Sequence, residues 1–380
     1  MRILQLLSCR GWSSDAYWAA RATQELTRRG HLVTLGCRAG TEAEVIGRAR
    51  AMGVERIVTF TFAGGVNPLA DAADVRRLVR WLPETDVVHV HRGKEHWLAA
   101  VANRVVKRPR PLVRTRHIAQ AVRPHAANRW LYRRATALTL AVTDAIRGQY
   151  VAGGLVDADR VVTLPGGADA ETYRPDRPAL GVRARLGVAD GIPLVGMVGG
   201  LRVMKGHALV VAAAARLAAR GMRPRFAFVG KGSHEAEVRG VIARHGLDAQ
   251  FTLAGFVDDP STVMPALDVA LYVPVESDGM SRVVFEYLAA GRALVASRVG
   301  VVPEILVDGE HALLVPAGDA GALADAVGRL LGDPALRARL GEAGRRLVLE
   351  RYSGARLAAA LEAQYARLTG ARQHARLTGT

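Results

Sequence analysis

The chain has 380 residues, half of them apolar, and a formal charge of +17 from 52 Lys and Arg against 35 Asp and Glu. That length exceeds what one hydrophobic core comfortably organises and points to two domains. Two cysteines, Cys9 and Cys37, are too few for a disulfide framework or a cysteine-built metal site and accord with a reducing cytoplasm. No apolar run approaches the ~20 residues needed to cross a bilayer, and the opening MRILQLLSCRGW does not read as a secretion signal. The charge excess calls for an anionic partner, whether a phosphorylated ligand, an acidic lipid surface or nucleic acid.

From end to end, short strand-like runs alternate with longer helical patterns, as in parallel sheets covered by helices on both faces. The first series is RILQLL, HLVTLGC, RIVTFTF, DVVHVH, PLVRTRH, ATALTLAVT and RVVTLPGG. A second begins afresh with PLVGMVGG and continues through RFAFVG, FTLAGF, VALYVPV, ALVASRVG and ALLVPAG. The expectation is an α/β protein of two doubly wound, Rossmann-like parallel-sheet domains, at 1–167 and 178–352. The join falls within Pro165–Gly181, where proline, glycine and acids cluster, and a final amphipathic helix over 354–370 is expected to pack back on the first domain.

In chain order, Gly11 permits a tight turn after the first strand, and Ser13 or Ser14 can cap the helix that follows. An ordinary strand-to-helix turn reads the same way. In VVHVHRGKEHWLAA, His89, His91, Glu95 and His96 crowd together, and histidines two apart on a strand face one way. No third ligand has a regular spacing, so no metal is assigned. VRTRHIAQ ends a strand with His117, while Arg114 and Arg116 alternate onto the opposite face. The basic run from Lys107 to the RRA at 133–135 suits an anionic acceptor, membrane headgroups or a solvated surface. No helix-turn-helix, zinc finger or aromatic RNA-binding motif accompanies it, so nucleic acid is not an expected partner.

In MVGGLRVMKGH a strand ends at Gly199 and Gly200, and Arg202 and Lys205 follow three apart, a spacing that suits a diphosphate or a solvated basic turn. In VESDGMSRVVFEYLAAG, Ser281 is an N-cap candidate, Gly291 lies just past the helix, and a helix start is a natural anion site. Glu286 stands among Val283, Val284, Phe285, Tyr287 and Leu288, where an unpartnered carboxylate is costly, so it calls for a partner such as the vicinal hydroxyls of a ribose. Together these features describe a nucleotide-diphosphate pocket. Neither first strand is followed by G-x-G-x-x-G, which disfavours a dehydrogenase.

The second half resembles the nucleotide-sugar half of the retaining family 4 glycosyltransferases. The family's acid-x7-acid signature falls on Asp278 and Glu286, with aspartate where glutamate is usual and Glu276 two positions away. LRVMKGH is similar to a branch of the family with LR-x2-KGH. FVGKGSHEAEV resembles the turn that frames the base, LAGFVDD the loop whose Phe256 lies beside it, VGVVPEIL the GGVPE turn, and LPGGADAETYRP the interdomain NGVD turn. The resemblance implies the GT-B fold, with two Rossmann-like domains facing a central cleft. It implies sugar transfer from a UDP- or GDP-sugar to an acceptor hydroxyl, with retained configuration and neither metal nor cofactor. By the same resemblance His117, Arg202, Lys205, Asp278 and Glu286 are catalytic. Donor contacts are Gly11, Gly200, Gly230, Lys231, Phe256, Glu276, Gly279, Met280 and Ser281, and acceptor contacts are His91, Arg92, Lys94 and Glu95. The expected partners are a nucleotide sugar and a glycan or lipid-linked acceptor in cell-envelope or lipopolysaccharide synthesis, with peripheral contact to the inner membrane face. The alternatives are a GT-B nucleotide-sugar epimerase and a non-catalytic basic protein that binds anionic lipid or nucleic acid.

Overall fold

The computed structural model describes residues 1–179, 181–276 and 279–377, with 371–377 described by backbone alone. The chain forms two compact units: Met1–Gly166 together with the C-terminal stretch from Gly354, and Gly167–Ser353. The first holds a seven-stranded parallel sheet in the order β3-β2-β1-β4-β5-β6-β7. Its strands are β1 (Arg2–Leu7), β2 (Leu32–Arg38), β3 (Ile57–Phe60), β4 (Val87–Val90), β5 (Leu112–Arg116), β6 (Leu138–Ala141) and β7 (Val161–Thr163). The second holds a six-stranded parallel sheet in the order β10-β9-β8-β11-β12-β13. Its strands are β8 (Leu194–Val198), β9 (Arg225–Val229), β10 (Phe251–Gly255), β11 (Val269–Tyr272), β12 (Ala293–Ser297) and β13 (Leu313–Val315). Each of the seven and six strand-like runs read from the sequence forms one of these strands.

These strands read as unbroken apolar runs because helices cover both faces of a parallel sheet. Ile3, Leu4, Leu6 and Leu7 of β1 are all buried. In β2, Gly36 lets the neighbouring strands approach, since a Cβ there would lie 2.6 Å from the Leu6 side chain and 2.8 Å from Phe60. The second core is built on Val195, Phe226, Leu271 and Val295 from the sheet, with Val211, Leu217 and Leu323 from its helices. Phe226 and Phe251 stack within it at 4.8 Å.

The C-terminal helix Gly354–Leu377 is part of the first unit and packs on the helix Ser14–Arg28. The Arg29 guanidinium and His31 Nε2 (3.1 Å) hold Glu362, while the fully buried Tyr365 hydroxyl pairs with His89 Nδ1 at 2.6 Å.

Candidate active site

In the second unit the strand order reverses between β8 and β11, the place where a doubly wound sheet opens a crevice beyond its carboxyl ends. The loops leaving β8, β9, β10 and β11 meet there and are laced by backbone hydrogen bonds. Gly199 N–H donates to Val229 O (2.9 Å), Leu201 N–H to Lys231 O (3.2 Å), Gly230 N–H to Gly255 O (2.8 Å) and Val275 N–H to Met204 O (2.9 Å). Glycine makes this possible: a Cβ on Gly230 would lie 2.0 Å from Gly199 O, and one on Gly206, at φ +83°, 2.0 Å from Val273 O. A β-carbon at either position would push the loops apart.

That lacing leaves cations on the rim. Arg202 and Lys231 are exposed, and Lys205 is half-buried with Nζ 5.8 Å from the Tyr272 ring centre. Phe256, beyond β10, is 50% exposed, which is unusual for so apolar a side chain. After β11, Glu276 is exposed, whereas Gly279 (φ +87°), Met280 and Ser281 are buried. Asp278 lies outside the described residues.

The helix Arg282–Ala289 starts after Ser281, but the Ser281 hydroxyl makes no capping hydrogen bond. Glu286, at 1% exposure, has its Oε1 2.7 Å from Arg282 Nε, one helical turn earlier. Burial pushes the Glu286 carboxyl above its usual range, opposed by the Arg282 charge and a hydrogen bond from the Tyr173 hydroxyl. The acid therefore has a protein partner that the sequence reading missed, although the i,i+4 spacing to an arginine was its signal.

The first unit contains its own cavity, of about 750 Å³, at the carboxyl ends of β1, β2 and β4 and against the loop after β3. Arg10–Ser13, Arg38, the loop Phe62–Val66, Asp71, Arg92, Lys94, Trp97 and Leu98 line it. Phe62 has a left-handed backbone (φ +39°), held by Asp74, whose carboxylate accepts the N–H groups of Thr61 (2.9 Å) and Phe62 (2.7 Å). Strain of this kind concentrates at functional sites. Nothing in the sequence marked it, because Asp74 acts from a helix twelve residues on.

Arg92 reaches the cavity wall and bonds through Nε to Asp15 Oδ2 at 2.5 Å, and Lys94 Nζ bonds to Asp71 Oδ1 (2.5 Å) and Gly65 O (2.7 Å). Burial would raise the Asp15 carboxyl, but the Arg92 hydrogen bond, together with His117, the Arg92 charge and Ser13, outweighs it and holds the group at about 2. Ser13 occupies the N-cap of the helix Ser14–Arg28, yet its hydroxyl turns to Asp15 and leaves the helix end uncapped. Gly11 lines the cavity without a positive φ and with nothing within 4 Å of a β-carbon, so the turn does not demand glycine there.

Beneath this wall lies a buried histidine chain. His91 Nε2 is 2.9 Å from Gln5 Oε1 and His91 Nδ1 is 3.1 Å from His117 Nε2, while His89 Nε2 is 2.6 Å from Thr115 Oγ1. Trp18 closes over all three rings. Because Gln5 Oε1 can only accept, His91 carries its proton on Nε2, accepts at Nδ1 from His117 Nε2–H, and leaves His117 Nδ1 as an acceptor. That atom is buried with no hydrogen-bond partner among the described residues. Burial drives the His117 ring down to about 3, with Arg114, Arg92 and Arg116 adding to it and Asp15 opposing, so it is neutral at neutral pH.

Residues 192–333 match the family described as glycosyl transferases group 1, and residues 17–172 match glycosyltransferase family 4. The chain belongs to this family. It is 31% identical over 237 residues to the alpha-D-kanosaminyltransferase of Streptomyces kanamyceticus, covering 60% of this chain and 59% of that protein. It is 32% identical over 302 residues to the D-inositol 3-phosphate glycosyltransferase of Nocardia farcinica, covering 72% and 64%. The matched stretches thus span about three fifths of these relatives' own length. The fold is GT-B: a glycosyltransferase structure from Rickettsia africae superposes with a TM-score of 0.86 at 16% identity, over 97% of this chain and 98% of that one. Anabaena HepE in complex with UDP gives 0.83 at 20%, over 97% and 100%.

Two of the expected acceptor contacts are used internally. Glu95 is fully buried, and its Oε1 accepts the N–H groups of His91 (3.2 Å) and Arg92, closing the start of the helix Gly93–Val105 rather than facing a ligand. Both ring nitrogens of His91 are spent on Gln5 and His117. Arg92 and Lys94 do line the cavity. His89, His91, Glu95 and His96 do not converge: among the described residues no three His, Cys, Asp or Glu side chains are placed to hold a metal.

Proposed function

We propose that this chain transfers a sugar from a nucleotide-diphosphate donor to an acceptor hydroxyl, with retention of anomeric configuration. The reading is carried by the placement of Arg202 and Lys205 directly after β8, at the point where the strand order reverses and beside the loops that Gly206 and Gly230 allow to close. Breaking a glycosyl-phosphate bond leaves negative charge on the diphosphate. Arg202 as a planar fork and Lys205 as a point charge neutralise it, in place of the metal ion that other phosphate chemistries employ. Donors aimed at developing charge contribute on the order of 10²–10³ each in rate. The base of the nucleotide rests on Phe256, and Glu286 takes the ribose hydroxyls, exchanging part of its contact with Arg282.

No protein nucleophile is assigned. A leaving phosphate oxygen takes the acceptor proton on the same face of the sugar, and in the first unit His117 Nδ1, fixed as an acceptor by His91 and Gln5, is able to receive a hydrogen bond from a bound hydroxyl. Relatives named for kanosaminyl transfer, for D-inositol 3-phosphate and for GDP-mannose-dependent mannosyl transfer support glycosyl transfer as the reaction class. We place the reaction in the cytoplasm, in the assembly of cell-envelope glycans or related glycosides.

The test is a melting screen of the full chain against UDP- and GDP-sugars, because a ligand that binds only the native state raises its melting temperature. Product analysis with a stabilising donor follows. Transfer that needs an acceptor supports the reading, and conversion of the donor alone to its epimer refutes it. Failure of every nucleotide sugar to stabilise the protein refutes it as well.

A further inference from the structure

The cavity of the first unit carries more positive charge than its own carboxylates balance. Four cations, Arg10, Arg38, Arg92 and Lys94, stand on its wall with one lining acid, Asp71. Asp15 engages Arg92 and Asp71 engages Lys94. Arg10 follows β1 and Arg38 ends the adjacent strand β2, and among the described residues neither makes an ion pair or a side-chain hydrogen bond. Arg38 is partly buried, and the Arg10 guanidinium lies over Gly64, 2.6 Å from where a β-carbon would stand, so glycine keeps that seat open. Arg10 is exposed and Arg38 partly buried, both line this one cavity, and an anion seated in it would meet two guanidiniums that no carboxylate among the described residues neutralises.

The rest of the wall is Trp12, Phe62, Val66, Trp97 and Leu98, and about 750 Å³ is the size of a pocket for a small ring compound. We propose that the acceptor bound here bears an anionic substituent, a phosphate monoester or carboxylate, gripped by Arg10 and Arg38 while its ring rests on the aromatic wall. The proposal rests on the glycosyltransferase reading, and it excludes polycationic aminocyclitols as acceptors at this site. The same phosphate chemistry could come from a free sugar or cyclitol phosphate or from a lipid headgroup.

Binding can be read without turnover. All five tryptophans, Trp12, Trp18, Trp81, Trp97 and Trp130, lie in the first unit, and Trp12 and Trp97 line the cavity, so intrinsic fluorescence reports its occupancy. The full chain is titrated at fixed ionic strength with glucose, glucose 6-phosphate, glucosamine, and phosphatidylcholine vesicles with and without phosphatidic acid. Glucose 6-phosphate should bind about tenfold or more tightly than glucose, as one net charge-assisted bond allows. R10Q/R38Q should abolish that preference, and R10K/R38K should retain part of it. A response to phosphatidic acid vesicles that exceeds the sugar phosphate and is lost in R10Q/R38Q assigns the headgroup source. Equal binding of glucose and its phosphate, a preference for glucosamine, an intact preference in R10Q/R38Q, or no saturable change with any phosphate-bearing probe overturns the proposal. Failure of the function reading shows separately, as absence of any nucleotide-sugar shift in the far-ultraviolet circular dichroism melting of the full chain, whose second unit has no tryptophan and does not enter the fluorescence readout.

Discussion

Replacing Arg282 by leucine removes the partner of a carboxylate that is 1% exposed. Breaking a buried pair in this way typically costs ~3–5 kcal/mol, because the remaining charge is left desolvated. The Arg282 side chain is 26% exposed, so water softens the loss, and we expect about 2–3 kcal/mol. For a unit of this size that corresponds to a fall in melting temperature of roughly 4–12 °C. The loss has a direction in pH. Burial already raises the folded-state pKa of Glu286, and removing Arg282 raises it further. Such a group contributes stability below its unfolded pKa and loses it as pH rises through the folded value. R282L should therefore be closest to wild type near pH 4 and fall away from it towards pH 8. Adding E286Q should recover much of the loss, since the amide carries no charge. Far-ultraviolet circular dichroism melting at several pH values, which follows both units, reads this out when set against tryptophan fluorescence, which follows the first unit alone. A loss that is the same at every pH, or that E286Q deepens, would refute the account of Arg282 as the charge partner.

Lys205→Ala should lower kcat by about 10²–10³ with an unchanged melting temperature, and near-wild-type turnover would sink its phosphate role. Gly230→Ala places a β-carbon 2.0 Å from Gly199 O, so nucleotide binding should weaken before fold stability falls, which titration and melting separate. Asp15 is depressed from 3.8 to about 2, so it supports the first unit above pH 4 and ceases to as pH falls from about 4 to 2. Tryptophan-detected unfolding should lose about 2 kcal/mol across that window, and D15N should flatten the dependence. Tyr365→Phe leaves His89 Nδ1 buried and unpaired and should cost about 1–3 kcal/mol in the same measurement.

The alternation of strand and helix was legible because a parallel sheet buries both faces and writes itself as apolar runs punctuated by glycine. For the same reason Arg202 and Lys205 could be placed after a strand, and the helix Arg282–Ala289 could be placed between Ser281 and Gly291. Glu95 was misread as a ligand contact because capping boxes are recognised by Ser, Thr, Asp or Asn at the N-cap, and here that residue is Arg92. The internal role of His91 was not legible because its partners, Gln5 on β1 and His117 just past β5, lie 86 and 26 residues away. The loop Phe62–Val66 carried no motif, and only the fold brings it opposite Arg10 and Arg38. Strand and helix order was readable from local pattern, whereas side-chain partners were not, whether they lay one turn away, as for Glu286 and Glu95, or on another element, as for His91.

The connectivity of the first unit has a consequence for biosynthesis. Its closing helix begins at Gly354, so a nascent chain that has emitted β1–β7 still lacks Tyr365 and Glu362, and the whole second unit must leave the ribosome before they arrive. Until then the face of Ser14–Arg28 that the helix covers, and the Nδ1 side of His89, stay open to water or to a chaperone. The later-synthesised unit is the one free to mature first, and the N-terminal one waits for the helix that begins at Gly354.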